Sequence, residues 1–548
     1  MNWSTHDVVN VVPELQDYNL YTRDLALQEA VRRAGGGVHE PDLVGYGARL
    51  GSASTLQAAE LANRCKPELQ TFDRQGRRID RVEFHPAWHT MMKMLREQNL
   101  VSQPFSDGRA GAWAAYAAGF SMHGQIEAGS QCPTSMTFAC IPVLKKEPAL
   151  FERLAGKLYS TRYDERDVPI EAKDSILVGM GMTEKQGGSD VRANTTVATP
   201  IAGSATGREY TLVGHKWFFS APMCDAHLVL ARTDGGLSCF FVPRFRPDGS
   251  KNAVQIQRLK EKVGNRSNAS SEVEFLGAWG TMVGEEGRGV PTIIEMATHT
   301  RLNCVMGSTG LIRQALVQAA HHARHRAAFG KTLVQQPLMQ NVLADLALES
   351  EAATHLMMRL TQAFAQAGDD PLQRAYKRIV TPAAKYWVAK RSIEASAEAM
   401  EVIGGNGYMD DSPTGRLYRE TPVISIWEGS GNVMALDMMR AMRREPDAVA
   451  ALVDDLRGAC GAEPALRRQL DAFVTALGLD DASYEAQARR EAQRLILLIQ
   501  ARLVSEYAPP AVSDAFMASR FDPEWGRTFG LLPCQVASAA IIDRAWPV

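Results

Sequence analysis

The segment Ser425-Ile426-Trp427-Glu428-Gly429-Ser430-Gly431-Asn432 carries the strongest chemical signal in the chain. One carboxylate lies between bulky apolar residues and a Gly-Ser-Gly-Asn stretch. Apolar neighbours strip water from Glu428, which raises its affinity for a proton and suits a general base. The flanking glycines leave main-chain N–H groups open to a large planar or phosphorylated ligand. A buried, capped Glu at a helix start reads the same way. A second run, Gly181-Met182-Thr183-Glu184-Lys185-Gln186-Gly187-Gly188-Ser189-Asp190, sets hydroxyls at Thr183 and Ser189 around two glycines. Such a loop can wrap a phosphorylated or heteroaromatic ligand, and a surface hairpin loop has a similar composition. A third, Arg326-Ala327-Ala328-Phe329-Gly330 with Gln336 beyond it, offers an arginine that can grip a pyrophosphate bidentately or simply be solvated. Gly404-Gly405-Asn406-Gly407 follows a helical pattern rather than a strand, so it is no strand–turn–helix dinucleotide fingerprint, and a helix C-cap accounts for it without a ligand. His321, His322 and His325 include an i, i+4 pair, but the Glu that zinc proteases place between such histidines is missing, which disfavours a metal.

These residues need elements to position them. A chain of 548 residues is too long for one core and should divide into three or four domains. Hydrophobic content of 45% and charged content of 22% are ordinary for a globular protein. The net charge of −2 excludes a wholly basic nucleic-acid coat but not a local basic face. Eight cysteines, none in a C-x-x-C pair, suit free thiols in a reducing cytoplasm better than a zinc site. No export signal and no membrane-length apolar stretch is visible, so a cytoplasmic protein is expected. The chain reads as mostly helical from about 24 to 165, and Ala112–His123 is an amphipathic example. Short β-rich runs, such as Tyr210–Val213 and Ser238–Val242, are separated by turn signals and build a compact β domain from Ile176 to about Trp279. Helical periodicity returns near Val290 and suggests a bundle. The stretch after Pro446 reads as a separate helical domain. The expected class is therefore α+β, mainly α: an N-terminal helical domain (1–175), a central β domain (176–283), a helix bundle (284–441) and a helical C-terminal extension (442–548).

The order M-T-E-K-Q-G-G-S-D, β domain, R-A-A-F-G, G-G-N-G and I-W-E-G-S-G-N resembles the acyl-CoA dehydrogenase family from roughly residue 100 to 440. Further stretches resemble its AidB branch: Trp3-Ser4-Thr5-His6, Phe84-His85-Pro86-Ala87-Trp88-His89, Glu127-Ala128-Gly129-Ser130, Gly214–Ser220 and the C-terminal extension. With these the resemblance covers nearly the whole chain. It implies an acyl-CoA dehydrogenase-like fold of a helical domain, a central β-barrel and a helix bundle, with FAD in a cleft between subunits of a homotetramer. By position Met182, Thr183, Gly188 and Ser189 would contact the flavin and its ribityl-pyrophosphate arm, and Phe218, Phe219 and Ser220 would cover the ring. Arg326 and Gln336, with Gly404 and Gly405, would reach the adenosine diphosphate half from a neighbouring subunit. Trp427, Gly429, Ser430 and Asn432 would close the site. Glu428 matches the family's base, which removes an α-proton as a β-hydride passes to flavin N5, and Arg301 matches an arginine near that base. The sequence departs from the family where Phe218 replaces a ring-covering Trp, Ser220 a Thr and Glu401 a Gln. The interval from Gly330 to Gln336 is one residue short, and Trp427 is bulky beside the base. These changes leave FAD binding intact and argue for weak turnover of acyl-CoA.

From Arg440 to Val548 the chain has 13 Arg, no Lys and 15 acidic residues, so the extension is not a basic tail. Arg440, Arg443 and Arg444 nevertheless fall at i, i+3 and i+4 and would share one helical face, while Arg467-Arg468 and Arg489-Arg490 with Arg494 form further clusters. Arginine suits phosphate contacts, although solvated faces paired with acids have the same composition. AidB-like proteins are associated with DNA and the response to alkylating agents, and that resemblance tips the reading toward duplex DNA bound through its backbone. Two functions follow: a DNA-associated flavoprotein of the alkylation response with residual dehydrogenase activity, or an ordinary acyl-CoA dehydrogenase that passes electrons to an electron-transfer flavoprotein.

Overall fold

The computed structural model describes residues 5–204, 206–366, 368–460, 463–526 and 528–547, with the side chains of Ala459 and Cys460 set aside. Trp3-Ser4 of the resemblance and the Cys460 thiol therefore lie outside the described residues. The other seven cysteines are free thiols, as their spacing suggests. Two compact units account for the fold, and each is assembled from distant stretches. One comprises residues 54–112 and 126–303, the other 1–53, 113–125 and 304–548.

The described residues of the first unit form nine strands. They are β1 (Glu68–Phe72), β2 (Arg78–Glu83), β3 (Val178–Gly181), β4 (Val197–Pro200), β5 (Glu209–Ser220), β6 (Ala226–Thr233), β7 (Gly236–Pro243), β8 (Val254–Leu259) and β9 (Ser270–Val283). The pairing runs β6–β4–β5–β9–β7 and returns to β6, so the sheet closes into a barrel. β3 adds in parallel to β6, and β8 adds to β9. Closure removes edges that would otherwise seek partners. Alternate side chains fill the interior: Leu212, Phe219, Val229, Phe240, Val273 and Phe275 are all buried. Each such side chain contributes about 1.5–3 kcal/mol.

β1 and β2 interrupt residues 24–165, which are otherwise mostly helical as expected. They form a hairpin because Asp73 Oδ1 accepts the N–H groups of Gln75 and Arg77 (2.9 Å each) and Gly76 turns at φ +77°. Val82 and Leu69 then pack on the barrel core.

The second unit is helical. Its long elements include Pro337–Ala365, Thr381–Ile403, Pro413–Ile424, Gly431–Arg444 and Asp481–Tyr507, and the 37-residue helix Gly289–His325 enters it at Cys304. Residues 442–548 lie in the same compact unit as 304–441. Buried ion pairs join them: Arg520 reaches Asp345 (2.5 Å) and Glu349 (3.3 Å), and Arg391 meets the same Glu349 (3.0 Å). Arg544 adds pairs to Glu29 (2.6 Å) and Glu351 (2.8 Å). No helix among the described residues is long and apolar enough to cross a membrane.

Candidate functional site

The residues singled out in the sequence are divided between the two units. In the barrel unit, the loop after β3 is anchored by Glu184, whose carboxylate is fully buried. It accepts from Lys216 Nζ (2.8 Å), Thr196 Oγ1 (2.6 Å), Thr195 Oγ1 (3.0 Å) and the Thr195 and Thr196 amides (2.7 and 3.1 Å). Burial pushes the Glu184 carboxyl up, but Lys216 and these hydrogen bonds outweigh it and hold the group well below the usual range. Burial draws Lys216 down to about 8 against the pull of Glu184. The anchor sets Met182, Thr183, Gly188 and Ser189 beside β5, where the Trp217 amide donates to the Thr183 carbonyl (2.8 Å) and Asn194 Nδ2 to the Met182 carbonyl (2.8 Å). Gly188 is required by close approach, since a Cβ there would lie 2.5 Å from Thr183 Oγ1.

Phe218 and Ser220 share the outer face of β5, and the Phe218 ring is 54% exposed. Phe219 does not join them as a ring cover. Successive side chains in a strand point to opposite faces, and Phe219 points into the barrel, buried and stacked on His227 at 3.8 Å. Burial lowers the His227 imidazole to about 3, so it is neutral at physiological pH. Cations collect around the outer face, with Lys260 Nζ 3.7 Å from the Trp217 ring and 4.6 Å from the Phe218 ring, and Lys185 and Arg258 each 5.7 Å from Trp217. Arg301 is buried on the helix Gly289–His325.

In the helical unit, residues 425–430 turn the chain from the helix Pro413–Ile424 into the helix Gly431–Arg444. Glu428 occupies the left-handed region at φ +58°, and Gly429 follows at φ +111°. A non-glycine residue held there stores roughly 1–3 kcal/mol of strain, a feature that clusters at functional sites. Trp427 packs against Cys304, Leu311, Ala389, Leu417 and Ile424, yet its buried Nε1 has no hydrogen-bond partner. Lys385, which no motif flagged, is buried and donates to the Gly429 carbonyl (2.5 Å). Ser430 is the N-cap residue of the following helix, and Asn432 is exposed in its first turn.

Arg326 and Gln336 flank the small hairpin at 327–332. Arg326 donates to the Asn10 carbonyl (2.5 Å), and Gln336 Nε2 donates to the Ala328 carbonyl (3.0 Å). Asn10, missed in the sequence, also pairs with both polar backbone atoms of Ala327 (2.8 Å each). Gly404 caps the helix Thr381–Ile403 at φ +77°, and Gly405 is exposed beside it. His321 bonds the Pro13 carbonyl (2.8 Å), and no metal-holding cluster occurs among the described residues.

Arg440, Arg443 and Arg444 are all exposed on one helix. Arg443 is committed inside the protein, donating to the carbonyls of Leu477 (3.0 Å) and Leu479 (2.7 Å) and pairing with Asp481 (3.3 Å). Arg440 and Arg444 have no ion pair or hydrogen bond among the described residues.

Comparison with known proteins agrees with this architecture. Residues 10–165 match the adaptive response protein AidB N-terminal domain, 179–277 the acyl-CoA dehydrogenase middle domain, and 287–443 the acyl-CoA dehydrogenase C-terminal domain. The chain is 46% identical over 531 residues to AidB of Escherichia coli (strain K12), covering 96% of each. The structure of Caenorhabditis elegans ACDH-11 in complex with C11-CoA is similar at a TM-score of 0.84, with 24% identity over 100% of this chain and 94% of that one. An acyl-CoA dehydrogenase from Bacillus anthracis complexed with FAD is similar at a TM-score of 0.65, with 19% identity over 79% of this chain and 80% of that one.

Proposed function

The chain belongs to the acyl-CoA dehydrogenase family, in its AidB branch, and from that membership we propose an FAD-binding oxidoreductase of low activity that also binds duplex DNA through its backbone. The observation that carries the redox reading is the turn at Trp427–Glu428. A carboxylate is held there in a left-handed conformation beside a buried indole N–H that the protein leaves unpartnered.

The residues suit FAD. Phe218 offers an exposed aromatic face next to Ser220, and Lys185 beside Trp217 suits a diphosphate, while Arg258 and Lys260 are paired with Glu272. Bound FAD would accept the hydride at N5. Met182, Thr183, Gly188 and Ser189 hold the ring and its arm in this reading, with Phe218 covering it. Glu428 takes the α-proton of the acyl thioester, and Arg301 stands at the position where the family carries an arginine. Trp427, Gly429, Ser430 and Asn432 close the site and exclude water. Arg326, Gln336, Gly404 and Gly405 serve the adenosine diphosphate half from a neighbouring copy in a homotetramer. Phe329 (99% exposed), Leu338 (84%) and Tyr408 (82%) supply apolar surface for that assembly.

Anaerobic titration with a series of acyl-CoAs, followed at the flavin absorption band, tests the redox reading. Slow bleaching is expected. Failure of every chain length to bleach a yellow protein would overturn it, and rapid turnover with an electron-transfer flavoprotein would favour the ordinary dehydrogenase.

The DNA reading, with a role in the response to alkylation, rests on Arg440 and Arg444, which project unpaired charge from one helix. Filter binding to duplex DNA should weaken steeply as salt rises.

A further inference from the structure

At one end of the barrel, β5 stops at Ser220 and β9 starts at Ser270, paired directly across. The Ala221 amide donates to the Ala269 carbonyl (2.7 Å) just beyond that rung. The chain arrives there through the turn Asn265-Arg266-Ser267-Asn268, closed by the Asn268 amide on the Asn265 carbonyl (3.2 Å), with Asn265 at φ +53°.

Asn268 is 1% exposed, and neither Oδ1 nor Nδ2 of its carboxamide has a hydrogen-bond partner. The adjacent Arg266 Nε is buried and unpartnered too. A buried carboxamide left unsatisfied is costly, so a group from outside the protein is the natural partner. The nearby Glu127 does not supply one. Glu127 already accepts from the Gly129 amide (2.8 Å), the Ser130 amide (2.7 Å), Ser130 Oγ (2.5 Å) and Ser267 Oγ (2.6 Å). Gly129 is packed so closely that a Cβ would lie 1.8 Å from Ser267 Oγ and 3.0 Å from the Asn268 amide.

The antiparallel register places Asn268 beyond Ser220, on the side away from Phe218. A ring covered by Phe218 would leave the Asn268 side to whatever extends past Ser220. Resting on the dehydrogenase reading above, we propose that Asn268 determines substrate specificity by hydrogen-bonding a hydroxyl on the acyl chain. A carboxamide both donates and accepts, which matches a hydroxyl. Lys262 Nζ donates to the Asn268 carbonyl while Glu127 holds Ser267, so charge at the turn is mixed and the choice of a hydroxyl rests on the carboxamide itself. A site built to bond a hydroxyl discriminates strongly against the chain that lacks it, since the amide is then left unpaired.

The test uses the FAD-loaded, full-length protein and medium-chain acyl-CoAs, either plain or carrying one hydroxyl at successive positions beyond the β-carbon. Affinity is read anaerobically from perturbation of the flavin spectrum, and stability from thermal melting. The wild type is expected to bind one hydroxylated isomer at least about tenfold more tightly than the plain chain. Asn268→Leu should abolish that preference while keeping plain-chain affinity, and should not lower the melting temperature of the ligand-free protein. Asn268→Ser, which keeps a smaller donor and acceptor, should retain part of the preference and serves if the leucine variant fails to fold. Equal binding of all isomers by the wild type would overturn the proposal, as would an unchanged preference in both variants. A lower melting temperature in Asn268→Leu with no change in preference would mark the amide as the partner of a buried water only. A colourless protein, or one whose flavin no acyl-CoA perturbs, would instead remove the dehydrogenase reading and this inference with it.

Discussion

Two glutamates separate the scaffold from the working part of this molecule. Glu184 in the barrel has its acceptors filled by Lys216, Thr195 and Thr196, and its backbone is unstrained. Glu428 sits in a six-residue turn at φ +58°, next to an indole N–H that no protein atom accepts. The contrast teaches that a buried carboxylate held by a lysine and two threonines fixes a loop, whereas a half-buried one in a strained turn beside an unmet indole donor is poised for something that arrives from outside.

Substituting each glutamate should therefore fail in different ways. Glu428→Gln is expected to slow flavin reduction by acyl-CoA by about 10²–10⁴-fold with FAD retained, as followed by anaerobic stopped-flow absorption. Reduction at the wild-type rate would place the base elsewhere and dissolve the comparison. Glu184→Gln should act on stability, because removing one partner of a buried ion pair leaves the other charge uncompensated, at a cost of about 3–5 kcal/mol. Urea unfolding measures it, and the double variant Glu184→Gln/Lys216→Met should recover part of the loss. The pH dependence has a definite sign. The folded carboxyl of Glu184 lies below its ordinary value of 4.5, so its stabilisation is complete above that pH and fades as pH falls toward the folded value. The gap between wild type and Glu184→Gln should accordingly narrow in acid.

Much of this contrast was legible before any coordinates. Glu428 announces itself because its apolar and glycine neighbours are adjacent in the chain, and the family order of motifs needs no tertiary information. The β domain was legible as a run of short strands, but the inward side chain of Phe219 was not, because a register shift between Lys216 and Phe219 breaks the alternation that buries Tyr210, Leu212 and Lys216. The pairing of Glu184 with Lys216 was not, since it depends on how the loop after β3 packs on β5. The hairpin at 68–83 was hidden because Glu68–Phe72 alternates only between exposed and half-buried positions, giving no strong apolar period. Asn10 and Lys385 act through backbone carbonyls far away in sequence, a role that leaves no local pattern.

The arginines of the helix Gly431–Arg444 extend the contrast to the surface. Arg443 caps the carbonyls of Leu477 and Leu479 and so belongs to the scaffold, whereas Arg440 and Arg444 have no partner among the described residues. Replacing Arg440 and Arg444 with Ala should reduce the slope of log affinity for DNA against log salt by roughly 1 per arginine, with the flavin colour unchanged. Arg443→Ala should lower thermal stability more than it changes that slope. An equal drop in slope for all three would mean that Arg443 leaves its internal partners to meet DNA.

The smallest expected effect sharpens the first comparison most. Trp427→Phe deletes the indole N–H and keeps an aromatic ring against Leu311, Leu417 and Ile424. The void left by the smaller ring is present with or without ligand, so it shifts both states together and largely cancels from a binding constant. Loss of a hydrogen bond made only to a bound group does not cancel. If FAD or the acyl thioester accepts the N–H, affinity for that ligand should fall by about tenfold, the equivalent of one ordinary hydrogen bond. Measuring FAD release by flavin fluorescence, and acyl-CoA binding by spectral perturbation, separates the two acceptors. If neither constant moves, the unmet donor beside Glu428 answers to no ligand, and the turn would have to be explained, like the loop at Glu184, by the protein's own packing.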